Sequence, residues 1–242
     1  MEDRRSQELR EKVLSLGKDH AIELAKSILD HFHTDMKDTG YVDELLEIGM
    51  DYDRYGDAKK ALEMYFKAEQ RAKAIGDKVG LGTIYSNIGV AYNNSKEYDI
   101  ALKYYNMALP IIEESKNEQE LGILYNNFGF VYKSILKYKE SVEFYLKSLN
   151  YLDKVNDKFS MTASYYNLAE VFAHLYEYEI AVEYIDKCID IDRELKLDSL
   201  EEDLKYKELI MYKINREKMK NTFQPKEDEE EKKNSNWFWR KK

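Results

Sequence analysis

Tyr85-Ser86-Asn87-Ile88-Gly89-Val90-Ala91-Tyr92 returns, 40 residues further along, as Tyr125-Asn126-Asn127-Phe128-Gly129-Phe130-Val131-Tyr132. The correspondence extends in both directions from these two segments. Gly49, Gly89 and Gly129 stand 40 residues apart, and the next step lands on Ala169. Three residues after each small residue comes an aromatic ring: Tyr52, Tyr92, Tyr132 and Phe172. One residue before it sits Ile48, Ile88, Phe128 or Leu168, and four before it Leu45, Tyr85, Tyr125 or Tyr165. Twelve residues after it the column reads Ala61, Ala101, Ser141 and Ala181, and seven later Ala68, Ala108, Ser148 and Cys188. Each column holds one size class, so the period marks a repeated structural unit.

Within a unit the apolar columns lie three or four residues apart, the spacing of one buried helical stripe. The small columns let helix backbones approach closely, and tyrosine columns fill the space that remains, which accounts for 21 tyrosines. Turn signals recur at the same period: Gly76-Asp77, Asn117, Asn156-Asp157 and Lys196. Inside the units Gly56-Asp57 and Ser95 separate a first helix from a second, with Asp57 and Ser95 as the expected N-caps. Pro110 falls inside a second helix and is expected to kink it or shorten its last turns. One helix pair cannot bury its own apolar face, so pairs must stack on pairs.

The columns Leu45-x-x-Ile48-Gly49-x-x-Tyr52 and Ala61-x-x-x-Tyr65-x-x-Ala68 resemble the tetratricopeptide repeat. Tyr85-x-x-Ile88-Gly89-x-x-Tyr92 with Ala101-x-x-x-Tyr105-x-x-Ala108 resembles it equally. The usual period of that repeat is about 34 residues. This array is similar to the longer-helix variant found in kinesin light chains and in Rap-type peptide-sensing regulators. The resemblance covers about Tyr41 to Leu197 and implies an all-α, right-handed superhelical solenoid of antiparallel helix pairs. Four repeats are expected over residues 41–197, preceded by a degenerate helical hairpin at 1–40 that breaks near Gly17. Ser199-x-x-Glu202 reads as a capping box opening a terminal helix over 198–220, with Leu204, Met211 and Ile214 covering the last repeat. Residues 221–242 read as a disordered acidic and aromatic tail.

Solenoids of this type bind along a concave face, which the resemblance assigns to the first helix of each pair. On a helical wheel of about 100° per residue, the position two before the small residue points away from the second helix. Glu47, Asn87, Asn127 and Asn167 occupy it. An amide both donates and accepts, so a ladder of asparagines can satisfy the backbone of an extended peptide without reading its side chains. Asn94 lies on the same face as Asn87, and Asn126, Lys133, Tyr166 and His174 flank the groove. In the long-repeat relatives such a ladder binds peptide backbone. The resemblance therefore implies a peptide site at Asn87, Asn94, Asn126, Asn127, Lys133, Tyr166, Asn167 and His174. The alternative is that duplication has simply copied surface asparagines. Chaperone-adaptor repeats, which clamp a carboxylate with Lys and Arg, are not matched, since the corresponding places hold Leu46, Met50, Ile123 and Asn127 and only Asn87 agrees.

The remaining features narrow the function. A net charge of -9 and a pI near 5.2 argue against nucleic acid as the main partner. The charged start Met1-Glu2-Asp3-Arg4-Arg5 is not a signal region, and no stretch of about 18 apolar residues spans a membrane. A cytoplasmic protein is expected. Cys188 is the single cysteine, which rules out an intramolecular disulfide and a Cys-based metal cluster, and its small-residue column makes it a buried, inert thiol. His31-x-His33 lacks further ligands nearby, and Gly80-x-Gly82 lacks the strand and Lys-Ser/Thr of a phosphate loop. No catalytic pattern, cofactor or metal is expected, and the chain reads as no enzyme. Trp237, Phe238 and Trp239 lie beside basic residues and could dock a partner, a membrane surface or the groove itself. The leading reading is a non-catalytic scaffold or adaptor binding protein or peptide. A peptide-responsive regulator of the Rap type and a self-assembling structural oligomer are the alternatives.

Overall fold

The computed structural model describes residues 40–223, which form nine α-helices with no strand among them. They are α1 Gly40–Arg54, α2 Ala58–Ile75, α3 Lys78–Asn94, α4 Tyr98–Ser115, α5 Glu118–Ser134, α6 Tyr138–Lys154, α7 Lys158–His174, α8 Tyr178–Leu195 and α9 Leu200–Phe223. Residues 1–39 of the hairpin expected at 1–40, His31 and His33 among them, and the segment containing Trp237, Phe238 and Trp239 lie outside the described residues. The chain is all-α, and its helices pack in consecutive antiparallel pairs. It divides into two compact units between Lys137 and Tyr138.

The turns explain the strict period. A residue with positive φ recurs every 20 positions: Gly56, Gly76, Lys96, Lys116, Leu136, Asn156, Tyr176 and Lys196. At seven turns the next backbone N–H reaches back to a carbonyl five residues earlier, from Asp57 to Tyr52 at 2.9 Å through to Leu197 to Asp192 at 3.0 Å. This left-handed closure satisfies the carbonyls that a helix end leaves orphaned. The residue that closes one helix also stands at the head of the next. Asp57, Asp77, Asn117 and Asp157 use that position to accept from the N–H of Lys60, Gly80, Glu120 and Ser160 at 2.9–3.2 Å.

In the first unit, α1 packs on α2 and α3 on α4, while the first helices α1, α3 and α5 also touch one another in sequence. At the small column a glycine of the first helix lies against a tyrosine ring of the second. A methyl built at Gly49 would lie 2.3 Å from Tyr65 Cε1, and one at Gly89 would lie 2.3 Å from Tyr105 Cε1. Both tyrosines are buried. Tyr105 continues the core edge-on against Phe128 of α5, with ring centroids 5.4 Å apart.

In the second unit, α7 and α8 form a pair with α6 on one side and α9 on the other. Its core joins Leu152, Leu168, Phe172, Ile185 and Ile189 to Ile210 and Ile214 of α9. Ser148 and Ser164 share a buried hydrogen bond of 2.9 Å, which makes polar small residues tolerable in a core column.

Five expectations change. Ser95 is no N-cap: it ends α3, its N–H bonding to Ala91, and Glu97 heads α4 with no side-chain cap bond. Pro110 does not shorten α4, which runs on to Ser115; the ring is exposed, on a side where a freed carbonyl can meet water. Ser199 makes no capping box, because its hydroxyl donates to Asp192 instead. Met211 faces outward, and Ile210 takes its place in the core beside Ile214. The last helix passes Lys220 and ends at Phe223, so the first residues assigned to the tail are helical.

Candidate functional site

Helices α3, α5 and α7 each have 17 residues and start 40 residues apart, so Asn87, Asn127 and Asn167 are the tenth residue of their helices. In the first unit this puts Asn87 and Asn127 at one register on neighbouring helices. Both are half-buried, and neither amide bonds a side chain among the described residues. Asn126 is half-buried beside Asn127. Lys133 lies nearly two turns along, its Nζ 4.7 Å from the centre of the Phe130 ring. Asn94, at the exposed end of α3, supports the Asp53 carboxylate of α1. That carboxylate also accepts from the Tyr65 hydroxyl at 2.8 Å. Burial nevertheless holds the Asp53 carboxyl above its ordinary range, the two hydrogen bonds opposing the shift.

Exposed apolar side chains flank the asparagines, which the amide pattern alone did not reveal. Ile123 and Phe130 of α5 stand four before and three after Asn127, the spacing of one helical stripe, and are 40% and 38% exposed. Met50 of α1, at the register of Phe130, is exposed as well. The signal was present in the period of the repeat, but an apolar residue on a helix reads as core until the packing shows otherwise.

In the second unit, Tyr166 and Asn167 line a cleft of about 290 Å³ between α7, α8 and α9. Thr162 and Ala163 extend the α7 wall, and Ser199 and Glu202 form the opposite rim. The Tyr166 ring lies 5.3 Å from that of Tyr206 on α9. His174 stands apart from the cleft, stacked on Tyr138 at 5.4 Å. The structure therefore groups Tyr166 with Asn167 and engages Asn94 and His174 in contacts within the chain.

Behind this cleft lies a cluster of one thiol and two carboxyls, Cys188, Asp192 and Asp203. Cys188 Sγ donates to Asp203 Oδ2 at 2.9 Å, and Ser199 Oγ donates to Asp192 Oδ2 at 2.5 Å. Asp192 is 0% and Asp203 4% exposed. Burial raises the Asp203 carboxyl above its ordinary range and the Asp192 charge adds to this, while the thiol hydrogen bond opposes it. Burial, then the Asp203 carboxylate, pushes the Cys188 thiol far up, which favours the thiol over the thiolate. Asp192 sits four residues after Cys188 and so shares its buried face, a legible signal. Asp203 joins only through the docking of α9.

Residues 80–154 and 162–195 match the tetratricopeptide repeat. No curated protein matches the sequence significantly. Among solved structures, the chain is similar to BtubC (BKLC) from P. vanneervenii, at 18% identity over 91% of this chain and 95% of that one, with a TM-score of 0.61. It is similar to aspartyl phosphate phosphatase F from Bacillus subtilis, at 16% identity and TM-score 0.77, over 89% of this chain and 57% of that one. A putative kinesin light chain repeat protein from Podosopora anserina aligns at 14% identity and TM-score 0.60, over 78% of this chain and 93% of its own. These likenesses are of fold. Within the described residues no helix is long and apolar enough to cross a membrane.

Proposed function

From a chain built of tetratricopeptide repeats, a fold that generally mediates protein binding, we propose a non-catalytic scaffold that holds an extended peptide along its first helices. The reading is carried by Asn87 and Asn127, half-buried at one register on touching helices with amides that bond no other described side chain. Such amides can accept from and donate to a peptide backbone, at about 0.5–1.5 kcal/mol for each net hydrogen bond. Ile123, Phe130 and Met50 add apolar surface beside them, so the ligand favoured is a segment with apolar side chains on one edge. Asn167 and Tyr166 offer the same pairing of amide and ring in the second unit.

The test uses a displayed library of extended peptides selected on the full chain. Asn127→Ala should weaken the selected peptides about tenfold or more, the loss of one to two hydrogen bonds, with the thermal melt unchanged. Selected peptides that bind Asn87→Ala and Asn127→Ala as tightly as the unaltered chain would refute the asparagine site.

A further inference from the structure

We propose that Cys188 and Asp192 of α8 and Asp203 of α9 form a binding site for one divalent transition-metal ion of the zinc type, which fastens the last helix to the repeat before it. The ligand atoms of the three residues all lie within 4.8 Å of one another, and all three side chains are buried. Ser199 occupies Asp192 Oδ2, while Asp192 Oδ1 is buried without any hydrogen-bond donor. That is the arrangement in which a neighbouring hydroxyl orients a carboxylate and leaves its other oxygen for a metal. No Lys or Arg among the described residues pairs with Asp192 or Asp203; the nearby Lys207 pairs with Asp186 and Lys158 with Glu194. Two carboxylates that share a buried site require a proton or a cation between them.

The donor set selects the ion. One sulfur and two oxygens suit zinc and its tetrahedral relatives, whereas calcium and magnesium take six or more oxygens. With Zn–S near 2.3 Å and Zn–O near 2.0 Å, a tetrahedral site needs S···O of roughly 3.5 Å. The Cys188–Asp203 separation of 2.9 Å must therefore open by about 0.6 Å. The adjoining cleft, walled by Tyr166 and Asn167, leaves room for water as a fourth ligand. Binding expels the Cys188 thiol proton to solvent, so affinity falls in acid.

The experiment titrates Co(II) into the full chain after treatment with chelator. Because the chain contains one cysteine, a thiolate-to-cobalt charge-transfer band can arise only from Cys188. The band is expected to saturate at one ion per chain, to vanish when zinc is added, and to be accompanied by a higher melting temperature with zinc. Cys188→Ala, which restores the alanine found at this column in Ala68 and Ala108, should fold and show no band. Asp203→Asn and Asp192→Asn should each weaken Co(II) binding at least tenfold. If the cluster merely shares a proton, saturating Co(II) gives no thiolate band in the unaltered chain, and the proposal is overturned. A band that persists unweakened in both Asn variants overturns it as well.

Discussion

Gly89→Ala tests the packing reasoning most directly, because two opposite effects meet at one methyl group. Helix propensity alone makes alanine better than glycine in a helix interior by about 0.8–1.0 kcal/mol. Against this, the new Cβ would stand 2.3 Å from Cε1, 2.5 Å from Cδ1 and 3.1 Å from Cζ of Tyr105. Carbon atoms rest at about 3.5–4.0 Å, so the ring must retreat by more than 1 Å. Tyr105 is 0% exposed and lies edge-on against Phe128, so it has no solvent to move into. Overpacking of this kind costs about 1–3 kcal/mol. A rigid ring belongs near the top of that range, leaving a net loss of about 1–2 kcal/mol after the propensity gain. The fourth repeat supplies the natural remedy: where the others pair Gly with Tyr, Ala169 stands at the glycine register and Ile185 at the tyrosine register. Tyr105→Ile alone should cost about 2–3 kcal/mol as a large-to-small core change. Combined with Gly89→Ala it should cost less than the two singles summed, by about 1 kcal/mol or more. Urea denaturation of the four proteins, followed by far-ultraviolet circular dichroism, measures the cycle. If Gly89→Ala raises stability by its propensity, or if the two changes simply add, the close approach of α3 to α4 is not what constrains this column.

Three further outcomes follow from single contacts. Tyr65 donates to Asp53 whereas the Tyr105 hydroxyl is buried without a partner, so Tyr65→Phe should destabilise by about 1–3 kcal/mol and Tyr105→Phe should be neutral or stabilising; equal losses in urea midpoint would contradict this. Burial raises the Asp53 carboxyl above its ordinary value of 3.8, so the stability from its protonated form is full below that value and lost as pH rises through the raised one. Asp53→Asn, which stays neutral and can still accept from Tyr65, should therefore lose less stability than the unaltered chain between mildly acidic and neutral pH, and parallel melting curves would count against it. Leu136 is 70% exposed and holds φ 62°; Leu136→Gly should raise stability by up to about 1 kcal/mol by removing left-handed strain, and a lower melting temperature would show that its side chain supports the turn.

The proposed peptide site is only half legible in the sequence. Asn87, Asn127 and Asn167 share a column because a helix fixes which way its tenth residue faces relative to its apolar stripe. That Asn94 is engaged by Asp53, and His174 by Tyr138, depends on neighbours from α1 and α6 that no local pattern specifies. The exposure of Ile123 and Phe130 is hidden in the sequence for the converse reason. Apolar residues on a helix carry no mark of whether a partner helix covers them.

The 40-residue columns, by contrast, dictate helix, turn and pairing from the sequence alone. Gly49 and Gly89 with Tyr65 and Tyr105 specify a contact by size alone, and size is a property of the residue. Turn position was equally explicit at Gly56 and Gly76, where the residue itself tolerates positive φ. At Leu136 and Tyr176 it was hidden, because backbone closure by Lys137 and Glu177 imposes the conformation on residues that do not favour it. The Cys188, Asp192 and Asp203 cluster lies at the other extreme. Its members are separated along the chain and look like one core thiol and two ordinary surface acids. Only the packing of α9 on α8 removes them from water, and burial is what turns an acidic side chain from a solvated charge into a site that requires a proton or a cation.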